Sequence, residues 1–422
     1  MLELWKNDTN QDLVDQLIGG KVNKKIVAVL FGGQAVEHDI SILTGLQIIE
    51  AMDTTKYEPL PIYVDQKGVW WHGAELLDRK NYHFSTTTKN KLKQLELPVG
   101  HVFSERPFFN IKNKTVFSKT KKLYFDIAFL AFHGEVGEDG LIQGIFEVTK
   151  IPYTGTRVLA SAIFMNKVIA KGLFKSAGIP VLSEIVIKKP FGEGLDINKI
   201  TANLKVEFPV CVKPCNLGSS IGVYKAENQI ELNTAILGVF KIDKEVLIEP
   251  FVENLVEYNV AVTKAVDETT MLSIIERPIK EGFLLSFKDK YLSQGGIESK
   301  LSAASSTDGM VSATRELNPE GLTATQKQII SESAKKAFEL VSGCGAPRMD
   351  FLCNGKTGEI WLNEVNPLPG SIGYFLWEAR TPKIHFTMLI DALIQEGFIE
   401  YNKAYKTFNL KDTQSSIFPV RD

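Results

Sequence analysis

The stretch IVAVLFGGQAVEHDISILTGLQIIEA, residues 26–51, passes from a continuous apolar run through a glycine pair into a helical pattern. Ile26 to Phe31 is apolar and β-branched without alternation, as expected of a strand buried on both faces. Gly32 and Gly33 end that run, and Ile40, Leu43, Leu46, Ile49 and Ala51 then recur near helical spacing. Strand, tight turn and returning helix make a parallel α/β unit. A second unit begins at Asp126 to Phe132 (DIAFLAF), runs into HGEVGEDGLIQG, and continues as a helix ending near Ile151-Pro152. Residues 60–120 between the two are irregular and mixed, with basic stretches around Lys89 to Lys93 and Lys112 to Lys122, and read as surface elaboration.

Downstream the pattern changes. From Ser161, SAIFMNKVIAKGLFKSAG predicts one long amphipathic helix closed by Gly178. VLSEIVIKK, FPVCVKP, IGVYKA and VLIEPFV then alternate as strands of a more antiparallel sheet, with a helix between Gln229 and Phe240. EYNVAVTKAV and MLSIIERPI read as further strands and lead to a glycine- and serine-rich loop candidate, Ser293 to Gly309. A helix from Thr325 to Val341, strands at Pro347 to Cys353 and Glu359 to Val365, and a helix near Ile384 to Glu396 complete the order.

The chain has 422 residues, enough for about three compact units. With 44% hydrophobic and 23% charged residues it has the composition of a globular protein, which excludes collagen-like and disordered classes. The 48 basic and 50 acidic residues leave a net charge of −2, so no global field recruits nucleic acid or an anionic membrane. Cys211, Cys215, Cys344 and Cys353 lack metal-ligand or disulfide-framework spacing and read as reduced thiols. The first residues do not have the pattern of a secretory signal, and no run has 18 or more apolar residues, so the expectation is a cytoplasmic protein.

Two segments carry chemistry. In PVCVKPCNLGSSIGVYKA a strand delivers Lys213, a loop supplies Gly218, Ser219 and Ser220, and another strand begins at Ile221-Gly222-Val223. Backbone N–H groups freed by glycine, two hydroxyls and a fixed charge suit an anion. The order GxxxxGK[ST] is absent, so this is no P-loop. In RMDFLCNGKTGEIWLNEVNPLPG two strands flank a turn, and alternation puts Arg348 and Asp350 on one face, Glu364 and Asn366 on the other strand's face. Were those faces shared, two carboxylates, an amide and a guanidinium would suit Mg²⁺ carrying polyphosphate. Glu37 and His133 sit at the C-terminal mouths of the two buried strands, where ligands of open α/β sheets collect. A carboxylate at Glu37 can hold an ammonium group; His133 reads first as a satisfied structural residue. His38 has no functional reading.

These segments, in this order, resemble the D-alanine-D-alanine ligase family of ATP-grasp enzymes from about Ile26 to Glu396, through FGGQAVEHDIS, FHGEVGEDGLIQG, IPYTGTRVLASAIFMNK, FPVCVKPCNLGSSIGV, FKDKYLS and RMDF with NEVNPLPG. The resemblance implies an α/β, three-domain ATP-grasp architecture: a polar leader (1–24), an N-terminal parallel α/β substrate domain (25–155), and central (156–249) and C-terminal (250–422) α+β domains sandwiching ATP. It implies Lys167 and Lys213 on the ATP phosphates, the Ser219-Ser220 loop above them, Glu249, Pro250, Phe251 and Val252 beside adenine, and Glu257 on the ribose. Asp350, Glu364 and Asn366 would ligate two Mg²⁺ ions, or Mn²⁺. Arg348 and the Gly370 N–H would face the reacting carbonyl, and Lys290 and Tyr291 would belong to a closing loop, with Glu37 linked to Tyr291 and Ser219. His133, Phe375 and Leu376 fall at substrate-binding positions. The implied partners are small amino-acid substrates, with a homodimer as assembly and neither nucleic acid nor membrane. One departure touches the substrate: Phe375 stands where the family commonly has a serine that helps bind the second substrate's carboxylate. The implied product is D-alanyl-D-alanine for peptidoglycan, the alternative a dipeptide or depsipeptide with a different acceptor.

Overall fold

The computed structural model describes residues 24–83, 90–103, 106–112, 120–192, 196–218, 220–279 and 315–405. Strand β1 (Lys25–Gly32) is the pivot of the first sheet. It pairs in parallel with β2 (Tyr57–Val64) on one side and with β7 (Ile127–Leu130) on the other. Helix α1 (His38–Ala51) makes the return predicted from the sequence. The unbroken apolar run of β1 serves two cores by alternation: Val27, Val29 and Phe31 enter one cluster, Ala28 and Leu30 the other. Each large side chain so buried contributes about 1.5–3 kcal/mol.

Residues 60–120 are more than surface elaboration. Short strands β3 (Trp70–His72), β4 (Lys93–Glu96), β5 (Phe108–Ile111) and β6 (Lys121–Tyr124) extend the same sheet as an antiparallel meander, giving seven strands in the order β6-β5-β4-β3-β2-β1-β7. Strands of three or four residues present only one or two inward side chains, such as Leu95 and Phe109, too few for a periodic signal.

After helices α2 (Leu141–Thr149) and α3 (Val158–Met165), the predicted long helix is interrupted. Asn166 takes an extended conformation, and its side chain accepts from the N–H groups of Val168 and Ile169, capping a new helix α4 (Lys167–Ser176). Asparagine competes for backbone donors in this way, so it starts helices better than it continues them. The break places Lys167 at the first helical position and Lys171 one turn later.

A four-stranded antiparallel sheet follows, formed by β8 (Ile185–Lys188), β9 (Val210–Pro214), β10 (Tyr224–Ala226) and β11 (Glu245–Pro250) in the order β10-β9-β11-β8. Helix α5 (Gln229–Val239) covers it. The strand expected from Ile221 starts only at Tyr224, because Ser220 and Gly222 have positive φ and complete a turn. The last sheet has five antiparallel strands, β12 (Leu255–Thr263), β13 (Met271–Pro278), β14 (Arg315–Leu317), β15 (Arg348–Asn354) and β16 (Ile360–Asn366), ordered β14-β13-β12-β15-β16. Helices α3, α4 and α6 (Ala324–Glu339) share one core with it. The loop candidate at 293–309 lies outside the described residues. The four cysteines are free thiols, and no helix among the described residues is long and apolar enough to cross a membrane.

Helix α7 (Tyr374–Glu378) and the C-terminal helix α8 (Phe386–Tyr405) return the chain to the first sheet, where Leu389, Ile390 and Leu393 join the cluster of Val27 and Phe129. Asp391 fixes the contact, accepting from Tyr57 Oη at 2.5 Å and Lys56 Nζ at 2.9 Å. Glu396 on α8 is 6% exposed; its Oε2 accepts from the Gly345 N–H at 2.7 Å and its Oε1 has no partner. Burial pushes this carboxyl up to about 7, against 4.5 for an exposed glutamate. The folded state therefore holds the proton more tightly than the unfolded chain, and the stability it contributes is full below pH 4.5 and lost as pH rises through about 7. In Glu396→Gln the loss of unfolding free energy between pH 5 and pH 8 should shrink by about 1–3 kcal/mol. Urea titrations at the two pH values measure it; an unchanged difference would remove Glu396 as the cause.

Candidate active site

The four- and five-stranded sheets face each other across a cleft lined by β9, β11 and the strands β12, β15 and β16. Sheet register explains the acidic cluster. Asp350 pairs with Glu364, and Arg348 with Asn366, so side chains separated by a turn in sequence share one face. Arg348 donates from Nε and Nη2 to the two oxygens of Asp350 at 2.7 Å each, and Asn366 Nδ2 donates to Asp350 Oδ2 at 3.0 Å. The faces that the sequence left as a condition do coincide.

Three lysines converge on the opposite wall. Lys213 Nζ lies 2.5 Å from Glu249 Oε2 and donates to Asn363 Oδ1 at 3.0 Å. Lys171 pairs with the other oxygen of Glu249. Lys167 donates to the Leu217 carbonyl at 2.6 Å and lies 3.5 Å from Glu364 Oε2. Burial lowers the affinity of Lys213 for its proton, and burial together with the Lys213 charge presses Lys171 down to about 7. Glu364 works against the shift on Lys213 and Glu184 against that on Lys171, while Glu249, 2% exposed, is the carboxylate in direct contact with both ammonium groups. Lys171 and Asn363 were absent from the sequence reading. The i, i+4 relation of Lys167 and Lys171 was a usable signal once α4 was placed, whereas Asn363 had none.

The cleft gathers Lys167, Lys213, Ser220, Glu249, Pro250, Phe251, Val252, Glu257, Asp350 and Glu364 around one pocket. Ser219, Lys290 and Tyr291 lie outside the described residues. The donor set offered by Asp350, Glu364 and Asn366, hard oxygens on paired strands, fits Mg²⁺ or Mn²⁺.

A second group of residues comes from the first sheet. Glu37 is 7% exposed and lies between two loops: a Cβ on Gly134 would stand 2.5 Å from its Oε2, and one on Gly218 3.6 Å from its Oε1. Position 134, at φ +71°, therefore favours glycine, since a side chain there would be strained and would crowd Glu37. The Glu37 carboxylate thus lies beside the loop before Ser219, at the edge of the cleft. His133 has both ring nitrogens engaged, Nδ1 with the Leu368 carbonyl at 2.7 Å and Nε2 with Thr44 Oγ1 at 2.8 Å. Burial drives its pKa down to about 4, which keeps the ring neutral. His38 is likewise satisfied, between the Gly33 carbonyl and Tyr63 Oη. Glu138, not singled out from sequence, accepts from the N–H groups of Gly134 at 2.7 Å and Leu368 at 3.0 Å, and its enclosed carboxyl is pushed up to about 7. Gly370 follows this loop. The Phe375 ring carries the Arg315 guanidinium 4.0 Å above its centre, and Leu376 is fully buried in the core.

Comparison with known proteins agrees with this geometry. The models of the D-ala D-ala ligase N-terminus and C-terminus match residues 26–156 and 173–395. The D-alanine--D-alanine ligase of Thermosipho africanus is 32% identical over 378 residues, covering 89% of this chain and 91% of that protein. That of Bacillus velezensis is 32% identical over 358 residues, covering 83% and 91%. Among solved structures, the VanG D-Ala:D-Ser ligase of Enterococcus faecalis superposes with a TM-score of 0.66 at 26% identity, covering 89% of this chain and all of that one (100%). The D-Alanine-D-Alanine ligase of Helicobacter pylori gives 0.64 at 25% identity, covering 88% and 98%. The architecture is the three-domain ATP-grasp fold. With both family models matched in order, and relatives above 30% identity along most of its length, the chain belongs to the D-ala D-ala ligase family.

Proposed function

We propose that the chain is an ATP-dependent ligase that joins two D-alanine molecules into D-alanyl-D-alanine for peptidoglycan precursor synthesis, acting in the cytoplasm. The observation that carries the reading is the buried Glu37 carboxylate against Gly218, which sets an ammonium-binding group beside a lysine-lined, acid-rich cleft. A free carboxylate is a poor electrophile, so it is first phosphorylated by ATP, giving an acyl phosphate and ADP. Lys167 and Lys213 hold the transferring phosphates, Pro250 to Val252 flank adenine, Glu249 fixes Lys213, and Glu257 takes the ribose. Asp350, Glu364 and Asn366 would hold Mg²⁺, which when bound neutralises polyphosphate charge. Glu37 orients the first D-alanine by its ammonium group. The amine of the second D-alanine, once deprotonated, adds to the activated carbonyl; Arg348 and the Gly370 N–H stabilise the tetrahedral oxyanion, and phosphate leaves. Such donors are worth about 3–4 kcal/mol in barrier. The resemblance assigns Lys290 and Tyr291 to a closing loop, whose role would be to keep water from the acyl phosphate, and the Ser219-Ser220 loop to the phosphates.

The units remain our division at 25–155, 156–249 and 250–422, with helices α3 and α4 packed across the second boundary onto the C-terminal core. We also infer a homodimer. Leu141 (61% exposed), Ile145 and Val148 (64%) form an i, i+4, i+7 stripe on α2, next to Leu159 (65%) on α3. A Val148→Glu chain should sediment as a monomer; an unchanged sedimentation coefficient, or a monomeric parent, argues against this face.

The deciding assay is ADP and phosphate release with ATP, Mg²⁺ and D-alanine, with the product identified by mass. Folded protein that releases no ADP under these conditions would sink the reading.

A further inference from the structure

Between β16 and α7 the chain makes a turn of unusual hand. Ser371 (φ 51°, ψ 25°), Ile372 (φ 54°, ψ 19°) and Gly373 (φ 59°, ψ 27°) are consecutive left-handed residues, the second of them β-branched. L-residues avoid this region, a β-branched one most of all, so something outside the turn must hold it. Within the turn the Ile372 N–H donates to the Pro369 carbonyl at 2.8 Å and the Tyr374 N–H to the Ser371 carbonyl.

Further restraints come from α1 and from the segment that follows β7. The Leu368 N–H donates to Glu138 Oε1 at 3.0 Å, and the Leu368 carbonyl accepts from His133 Nδ1 at 2.7 Å. A carbonyl has no proton to give, so Nδ1 carries the hydrogen of the neutral ring and Nε2 is the acceptor. Thr44 Oγ1, 2.8 Å away, therefore donates to Nε2 and in turn accepts from the Ser371 N–H at 3.0 Å. Ser371 Oγ also reaches Gln47 Oε1 at 2.5 Å. Thr44 and His133 are 1% and 6% exposed, out of competition with water. Both sides of Pro369-Gly370 are thus anchored to residues more than two hundred positions earlier in the chain.

We propose that Thr44, His133 and Glu138 are positioning residues that hold Leu368 to Gly373 in the left-handed turn, and thereby set the direction of the Gly370 N–H. This rests on the oxyanion role assigned above to that N–H. It makes the donor conditional on the docking of α1 and the segment after β7, so the helix that Glu37 opens also aims the group that stabilises the transition state. His133 then acts through the loop rather than by touching substrate.

Thr44→Val keeps shape and removes both hydrogen bonds. Relative to the parent, kcat should fall at least tenfold with KM for ATP within twofold, and Thr44→Ser should restore at least half of kcat. Hydrogen exchange across 368–373 should accelerate in the valine variant and return in the serine variant. Glu138→Gln, which retains one acceptor oxygen, should show the same pattern to a lesser degree and replaces Thr44→Val if that chain does not fold. Parental kcat in the folded variants, a change confined to KM, no rescue by serine, or unchanged exchange would each overturn the proposal. If the parent itself releases no ADP, the functional reading fails, and the exchange comparison alone decides whether the clamp exists.

Discussion

Glu364→Gln will abolish most turnover while leaving the fold intact. The residue lies on β16 opposite Asp350, its side chain 19% exposed, with Lys167 Nζ 3.5 Å from its Oε2. Glutamine has the same size, so packing survives; what is lost is one of two carboxylates offered to a divalent cation and the charge facing Lys167. Partly solvated pairs contribute about 0–1 kcal/mol, and Lys167 retains the Leu217 carbonyl, so the unfolding midpoint should move little. Turnover should fall on the order of a hundredfold or more, since even the residues that merely support metal ligands cost about 10–100-fold when removed. The Mg²⁺ concentration giving half-maximal ADP release should rise as well. A variant with parental turnover and Mg²⁺ dependence would falsify the metal role of Glu364.

Glu249→Gln will act first on stability. Its carboxylate lies between two ammonium groups, and the side chains of Glu249, Lys171 and Lys213 are 1%, 2% and 8% exposed. Removing the anion takes the contacting negative charge from two buried ammonium groups, and breaking a buried pair costs about 3–5 kcal/mol. Lys171 is already pressed toward its neutral form, so it will release its proton more readily in the variant. Urea unfolding at neutral pH reads the loss directly. Adding Lys171→Met should recover part of it, because one orphaned charge goes with the lysine. A Glu249→Gln chain as stable as the parent, or a double variant weaker than the single one, would show that the triad is not the coupled unit described. ATP affinity should fall in parallel, as Lys213 loses the group that fixes its position.

Much of this was legible in the chain itself. Ile26 to Phe31 has only one stable use, a strand covered on both faces, and its glycine pair made the turn into α1 the sole continuation. Lys213, Asp350, Glu364 and Asn366 were readable because strand alternation is a strict period of two, which fixes the face of each residue on its own strand. The sequence pattern runs as one helix from Ser161 because amphipathic periodicity averages over a residue such as Asn166, whose capping depends on two backbone donors and not on its neighbours' hydrophobicity. Strands β3 to β6 were missed because three or four residues are stabilised by partners across the sheet rather than by their own pattern.

Sequence therefore determined the α/β class, the strand-borne charges and the family. Tertiary structure alone decided that Lys171 and Lys213 share Glu249, that Glu37 meets Gly218, and that Thr44, His133 and Glu138 grip the turn after Leu368. The physical reason is separation. A local pattern reports which face of its own element a side chain occupies, whereas a contact between residues hundreds of positions apart exists only once register and docking have brought two such faces together.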